Sequence, residues 1–178
     1  CGGSPWAASF LDSFRYLNQL GLLAQKGVQS VMHNTLAASD YGLIDQDTLT
    51  PRPNYWAAVL WRRTMGTTVL ASPASPSSDL RIYAHCLPRS NGGVGLAVIN
   101  LGDAAQTISI GNRSLVWKME AASLDSETVT INGQNPGLET SGRLAGLSGS
   151  PVTGDVLVPG KAIVFVAVRS AGNSACWA

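Results

Sequence analysis

Apolar residues recur at helical spacing in two stretches of the first third of the chain. The first stretch begins at Ser4 and Pro5, a capping hydroxyl followed by a proline, and ends at Gly27. The second begins at Pro53 and runs through Arg63. Each predicts a helix. The apolar residues that predict the buried face of the first helix are Trp6, Phe10, Phe14, Leu17 and Leu20.

Between the two helices, an apolar run at 28–32 predicts a buried strand. His33 and Asn34 follow at the end of this strand, and a loop carrying Asp40 and Tyr41 leads to the second helix. Strand, polar residues, loop and helix together form one unit of a β/α architecture. Ligands bind where the strands of such units end, so this stretch is the predicted binding region.

The apolar period changes after Gly66, from helical spacing to short alternating runs separated by turn signals. Asn132 and Gly133 form one such signal, typical of a hairpin. Short strands at this spacing predict an antiparallel β-sandwich. Residues 133–154, rich in glycine and serine, predict a long surface connection. The predicted strands are 67–71, 80–87, 94–100, 106–110, 115–119, 128–131, 155–158 and 162–168.

This change of period divides the chain into residues 1–66 and 67–178. One strand and two helices cannot enclose a hydrophobic core, so we expect 1–66 to be the last units of a barrel or doubly wound sheet. We expect Trp6, Phe10 and Phe14 to face the part of that barrel that this chain lacks. The sequence does not begin with methionine, and we expect it to be part of a longer protein.

Composition and charge narrow the classes of function. A net charge of +1 without a basic stripe gives no electrostatic basis for nucleic-acid binding, and no apolar run is long enough to span a membrane. Cys1, Cys86 and Cys176 match no metal motif, and we predict no metal and no cofactor. Their spacing leaves two alternatives open: one disulfide with an odd thiol in an exported protein, or three reduced buried thiols.

The acidic residues do not form a recognisable active site. The only glutamates are Glu120, Glu127 and Glu139, and all three fall in the predicted sandwich. No spacing places a carboxylate pair or a Ser/His/Asp arrangement. We therefore predict no catalytic residue in this chain.

Several segments together resemble glycoside hydrolase family 79, which includes heparanases and heparanase-like β-glucuronidases. They are CGGSPWAASFLDSFRYLNQLGLLAQKG, MHNTLAASDYGLIDQDTLTPRPNYWAAVLWRRTMGTTVL, LRIYAHC, LAVINL and the terminal SAC. The resemblance implies the tail of a (β/α)8 barrel followed by a C-terminal antiparallel β-sandwich. It also implies retaining hydrolysis of β-glucuronides by two glutamates, both of which precede this part of the family's sequence. This chain alone would then be inactive.

The resemblance also implies a set of binding residues. The backbone amides of Gly2 and Gly3 and the phenol of Tyr41 would hold the uronate carboxylate, which needs no full positive charge when three donors satisfy it. Asn34 stands in place of the family's glutamine and would bond a sugar hydroxyl. Purely structural roles stay open for all four: a plain turn, a core aromatic or a capping amide. Asp40 replaces the family's asparagine, so either it points away or substrate and pH preference differ from those of better-known members.

The resemblance implies a disulfide between Cys86 and Cys176, with Cys1 as the odd thiol. This favours a secreted protein or one in a lysosome- or vacuole-like compartment. His33 and His85 are expected to be structural. The expected partners are a β-glucuronide, with a small aglycone or capping a glycan, and the missing N-terminal barrel portion. The alternative is a non-catalytic carbohydrate-binding or structural sandwich module, which Trp117 would suit.

Overall fold

The computed structural model of the protein describes residues 3–177. Within that range the helices are α1 (Phe10–Gln25) and α2 (Pro53–Thr64), with short 3₁₀ turns at Pro5–Ala8 and Ser174–Cys176. The strands are β1 (Val69–Leu70), β2 (Leu80–Cys86), β3 (Val94–Asn100), β4 (Gln106–Glu120), β5 (Thr130–Ile131), β6 (Gly137–Leu138), β7 (Leu144–Ala145), β8 (Ser150–Val158) and β9 (Ile163–Val168).

Helix α1 confirms most of the predicted apolar face. Phe10, Phe14 and Leu17 are buried, and Gly27 follows the helix with φ of +81°, the left-handed conformation that suits glycine. The prediction for Trp6 is wrong, because this side chain is 41% exposed. Trp6 belongs to the 3₁₀ turn before the helix, so the helical spacing does not extend back to it. Helix α2 begins at Pro53 as predicted.

The predicted buried strand at 28–32 is wrong. These residues have irregular backbone, and Met32 is 92% exposed while Val28 is 42% exposed. A strand needs a neighbour to receive its backbone hydrogen bonds, and no strand of this chain pairs with this segment in the described residues. The apolar run therefore lies uncovered on the surface.

Seven of these strands form an antiparallel sheet in the order β1-β2-β3-β9-β4-β5, with β8 also pairing with β4, and β6 and β7 form a separate two-stranded sheet. Strand β9 lies in the middle, where Phe165 pairs with Ala97 of β3 and with Trp117 of β4. All six residues of β9 are buried. A central strand is buried on both sides only if both faces of the sheet are covered.

Helices α1 and α2 cover one face, where Phe10 and Leu60 join Phe165 in a common hydrophobic cluster. Phe10 and Phe14 therefore pack on the sheet, and the expectation that they face a missing barrel is wrong. This cluster contains residues from both of the predicted regions, 1–66 and 67–178. The division into two regions stays a prediction.

The sheet itself covers its second face. Ile108 of β4 and Val156 and Val158 of β8 cluster with Val98 and Val164 from that face. The pairing of β4 with β8 shifts between Ser109 and Arg113, and β4 turns at this irregularity. The predicted strands 106–110 and 115–119 are thus two halves of one bent strand. The pairing joins β8 to the same sheet as β2, β3, β4 and β9, so the predicted sandwich is not confirmed.

Two turns test the predicted connections. Asn132 and Gly133 both have positive φ, 52° and 75°, and Ile131 bridges to Gln134 across them, which confirms the hairpin turn. The predicted surface connection at 133–154 is only partly correct. It contains the small hairpin of β6 and β7 and the first residues of β8.

Candidate functional site

The connection between α1 and α2 carries Asn34 and Tyr41, two of the four predicted binding residues, and Arg52 fixes its course. The guanidinium of Arg52 donates to the backbone carbonyls of Ser39 at 3.2 Å, of Gly42 at 3.4 Å and of Asp40. Its other terminal nitrogen lies 2.9 Å from the Asp45 carboxylate. Because the planar guanidinium is mostly buried and bonds several carbonyls at once, it holds the loop in one shape.

Asp45 anchors the far side of this loop. Its carboxylate accepts the backbone N–H of Thr48 at 2.8 Å, the Thr48 hydroxyl at 2.9 Å and the backbone N–H of Asp47 at 3.1 Å. These bonds, led by the Thr48 backbone N–H and aided by Arg52, lower the pKa of Asp45 to about 2. Asp45 therefore stays ionised at any physiological pH.

Gly3 and Tyr41 lie against each other although they are far apart in the sequence. Gly3 comes 37 positions before Asp40, the residue that precedes Tyr41. A Cβ at position 3 would stand 2.9 Å from Cδ1 of Tyr41, so only glycine allows this approach. The proximity is what a carboxylate site shared by Gly3 and Tyr41 requires. That role itself stays a prediction, and Gly2 lies outside the described residues.

The backbone N–H of Gly3 already has an acceptor. It donates to Oδ1 of Asp40 at 3.2 Å, and the Ser39 hydroxyl donates to the same oxygen at 3.2 Å. The backbone N–H of Tyr41 donates in turn to the Ser39 hydroxyl at 3.2 Å. Asp40 therefore points towards the predicted binding residues, not away from them.

His33 and Asn34 have different surroundings. Nε2 of His33 lies 3.2 Å from the backbone carbonyl of Tyr41, and its ring meets Tyr16 edge-on at 5.5 Å. These contacts support the expected structural role of His33. The side chain of Asn34 is exposed and makes no hydrogen bond within residues 3–177. Its predicted role in sugar binding stays a prediction.

Two further predicted features lie in the sheet region. Cys86 and Cys176 form the disulfide, with their Cα atoms 5.3 Å apart, which confirms that prediction. His85 is buried beside Trp61, and its Nδ1 lies 2.7 Å from the carbonyl of Gly66. Burial lowers the pKa of His85, so the neutral ring donates from Nδ1. This supports a structural role.

Trp117 does not suit a sugar-stacking role. It is buried in the core, and its indole N–H donates to the carbonyl of Leu147 at 2.9 Å. Neither ring face is free to stack on a ligand. The observation removes one of the features that favoured a carbohydrate-binding module.

The loop between α1 and α2 carries groups that can bind a ligand rather than groups arranged for catalysis. Among residues 3–177, no three histidine, cysteine or acidic side chains come together as metal ligands would. In the same part of the chain, no helix combines the length and apolar character needed to cross a membrane. Glu139 is engaged with Arg143 at 3.0 Å, and that bond lowers the pKa of Glu139. The loop can bind and orient a ligand through amides, hydroxyls and carboxylates.

Sequence reasoning missed the role of Arg52. It stands between two prolines at the start of α2, where no pattern marks a basic residue as a loop clamp. Its function follows from the path of the loop, which brings three carbonyls and Asp45 to the same guanidinium.

Comparison with known proteins decides the relationship. No family model matches the chain. Heparanase-like protein 1 of Arabidopsis thaliana is 40% identical over 112 residues, which cover 62% of this chain and 20% of that protein. The chain is a homologue of heparanase-like proteins. Baicalin-beta-D-glucuronidase of Scutellaria baicalensis is 33% identical over 147 residues, 79% of this chain and 28% of that protein.

These relatives confirm the resemblance that the motifs showed. The chain spans 20% and 28% of the length of the two relatives, so it corresponds to only a part of each. Among solved structures, the GH51 arabinofuranosidase from Xanthomonas axonopodis pv. citri matches 90% of this chain with a TM-score of 0.61. The match covers 36% of that protein at 15% identity, so it shows the fold alone. The fold of this chain thus occurs within a glycoside hydrolase.

Proposed function

We propose that this chain is the C-terminal part of a retaining β-glucuronidase that hydrolyses small-aglycone or glycan-capping β-glucuronides. The observation that carries the proposal is the homology to a baicalin β-D-glucuronidase and to heparanase-like proteins. Gly3 and Tyr41, which the family resemblance assigns to the uronate carboxylate, lie in contact in this chain. Their contact supports the assignment.

The distribution of exposed apolar side chains supports a missing barrel portion. Of the thirteen exposed large hydrophobic side chains in residues 3–177, eight fall within residues 6–49. This concentration supports the proposal that another part of the protein packs against this region. A barrel portion packed against this region would cover these side chains. The eight are Trp6, Leu11, Leu22, Val28, Val31, Met32, Leu36 and Leu49.

Under this proposal both catalytic glutamates precede the chain. A retaining mechanism needs two carboxyl groups about 5–5.5 Å apart, one as nucleophile and one as acid/base. Here Glu139 is paired with Arg143. The loop around Tyr41 would bind and orient the uronate while the upstream glutamates perform the chemistry. The disulfide supports a secreted or lysosome-like location.

Hydrolysis of an aryl β-D-glucuronide tests the proposal. We expect the full-length protein to release the aryl group, with the β-anomer of glucuronate appearing first in proton NMR spectra, and the isolated chain to be inactive. The matched control substrate is the aryl β-D-galactoside. Hydrolysis by the isolated chain, release of the α-anomer first, or equal rates on both substrates would each contradict the proposal.

A further inference from the structure

The carboxylate of Asp40 accepts the hydrogen bond from a backbone amide that, under the proposed function, would bind the substrate carboxylate. Its Oδ1 accepts the backbone N–H of Gly3 at 3.2 Å, next to the ring of Tyr41. A carboxylate from within the chain is thus bound by one of the groups assigned to the carboxylate of the sugar.

The position of Asp40 is held from both sides. The Ser39 hydroxyl donates to the same Oδ1 at 3.2 Å, and Arg52 donates to the backbone carbonyl of Asp40. Moving the carboxylate away from Gly3 breaks these side-chain bonds, whereas the backbone stays clamped.

Among residues 3–177, no cationic side chain pairs with the carboxylate of Asp40. Asp40 forms no ion pair within residues 3–177, and the guanidinium of Arg52 is paired with Asp45 at 2.9 Å. A second carboxylate brought to Gly3 and Tyr41 would therefore meet an uncompensated like charge at short range. A neutral hydroxymethyl group at the same position would not.

We propose that the carboxylate of Asp40, held at the Gly3 amide, repels the substrate carboxylate and so weakens binding of uronates relative to neutral sugars. The inference rests on the proposed function, because it takes Gly3 and Tyr41 as the groups that bind the uronate. It makes Asp40 the residue that sets how strongly the site prefers an acidic sugar.

The experiment compares the full-length wild-type protein with Asp40→Asn by titration calorimetry. The two probes are phenyl 1-thio-β-D-glucuronide and phenyl 1-thio-β-D-glucoside, which resist hydrolysis and differ in the carboxylate alone. The matched control is Asp47→Asn, since Asp47 is an exposed carboxylate of the same loop and its side chain makes no hydrogen bond within residues 3–177. Any general effect of lost charge appears in both variants.

We expect Asp40→Asn to bind the thioglucuronide roughly tenfold more tightly than wild type, since one like charge at contact distance is removed. The thioglucoside should change by less than about twofold, and Asp47→Asn should leave both affinities unchanged. An equal gain for both probes, or no gain in a protein that does bind the thioglucuronide, overturns this inference and leaves the proposed function standing. Failure of both proteins to bind the thioglucuronide overturns both.

Discussion

Replacement of Cys86 and Cys176 by alanine removes the disulfide that joins the end of β2 to the C-terminal 3₁₀ turn. The two residues are 90 positions apart, so the bond closes a long loop in the unfolded chain. In the chain-entropy model, closing such a loop removes about 15.5 cal/mol/K of unfolded-state entropy, or about 4.6 kcal/mol at 25 °C. Unfolded chains are more compact than the model assumes, so we expect a loss of about 3–4 kcal/mol.

The folded state should survive this change. The C-terminal turn is also held by Gly92, whose N–H donates to the carbonyl of Cys176 at 2.9 Å and whose carbonyl accepts from Asn173 at 3.0 Å. The side chain of Trp177 lies against Gly92 as well. The native contacts therefore persist in the double variant, and the loss in free energy of unfolding comes from the freed unfolded chain.

Urea unfolding followed by tryptophan fluorescence measures this loss, because Trp56 and Trp117 are buried in the core. The control is wild-type protein in the presence of a reductant, which should match the Cys86→Ala/Cys176→Ala variant. The variant itself should not respond to the reductant. A loss below about 1 kcal/mol, or a variant that reductant destabilises as much as wild type, would refute the reasoning.

Two further predictions concern buried polar groups. Asn54→Ala removes the amide that lies 2.6 Å from the buried Asp12 carboxylate and should lower the free energy of unfolding by about 2 kcal/mol. Asn54→Asp places a second negative charge beside Asp12 and should lower the free energy of unfolding by more than Asn54→Ala does. If urea unfolding shows an equal or smaller loss for Asn54→Asp, the contact between Asn54 and Asp12 is not as described. Burial lowers the pKa of His85 below 6.5, so stability should fall as pH drops through 6.5 towards the folded-state value. Urea midpoints at pH 7.5 and 5.5 measure this loss of stability, and His85→Gln should reduce the difference between them. If the difference is the same in His85→Gln as in wild type, His85 is not the group responsible.

Both helices and the strands in the middle of the large sheet followed from the sequence, whereas β6 and β7 did not. Strand β3 was predicted with its observed bounds, Val94–Asn100, because its apolar run is bounded by turn signals and its partners are present. The run at 28–32 has the same apolar character and no strand beside it. Local pattern predicts which residues favour a strand, whereas its formation depends on a neighbour that residues 3–177 do not supply.

The candidate site could be predicted only in part. The contact between Gly3 and Tyr41 came from the family resemblance, since the spacing of the two residues carries no signal. The bonds of Arg52 and Asp40 depend on the path of an irregular loop, and no periodic pattern specifies such a path. The bend in β4 was missed for a similar reason: its two halves read as separate strands on either side of a local irregularity.

The sequence that precedes Cys1 in the source transcript tests the central claim most directly. If this chain is the back part of a retaining β-glucuronidase, a strand ending in Gly-Glu should lie within roughly ten residues upstream, with an Asn-Glu pair about a hundred or more residues earlier. Changing either glutamate to glutamine should abolish hydrolysis of aryl β-glucuronides. A secretory signal that runs directly into Cys1 would contradict the account, because the protein would then have no upstream barrel.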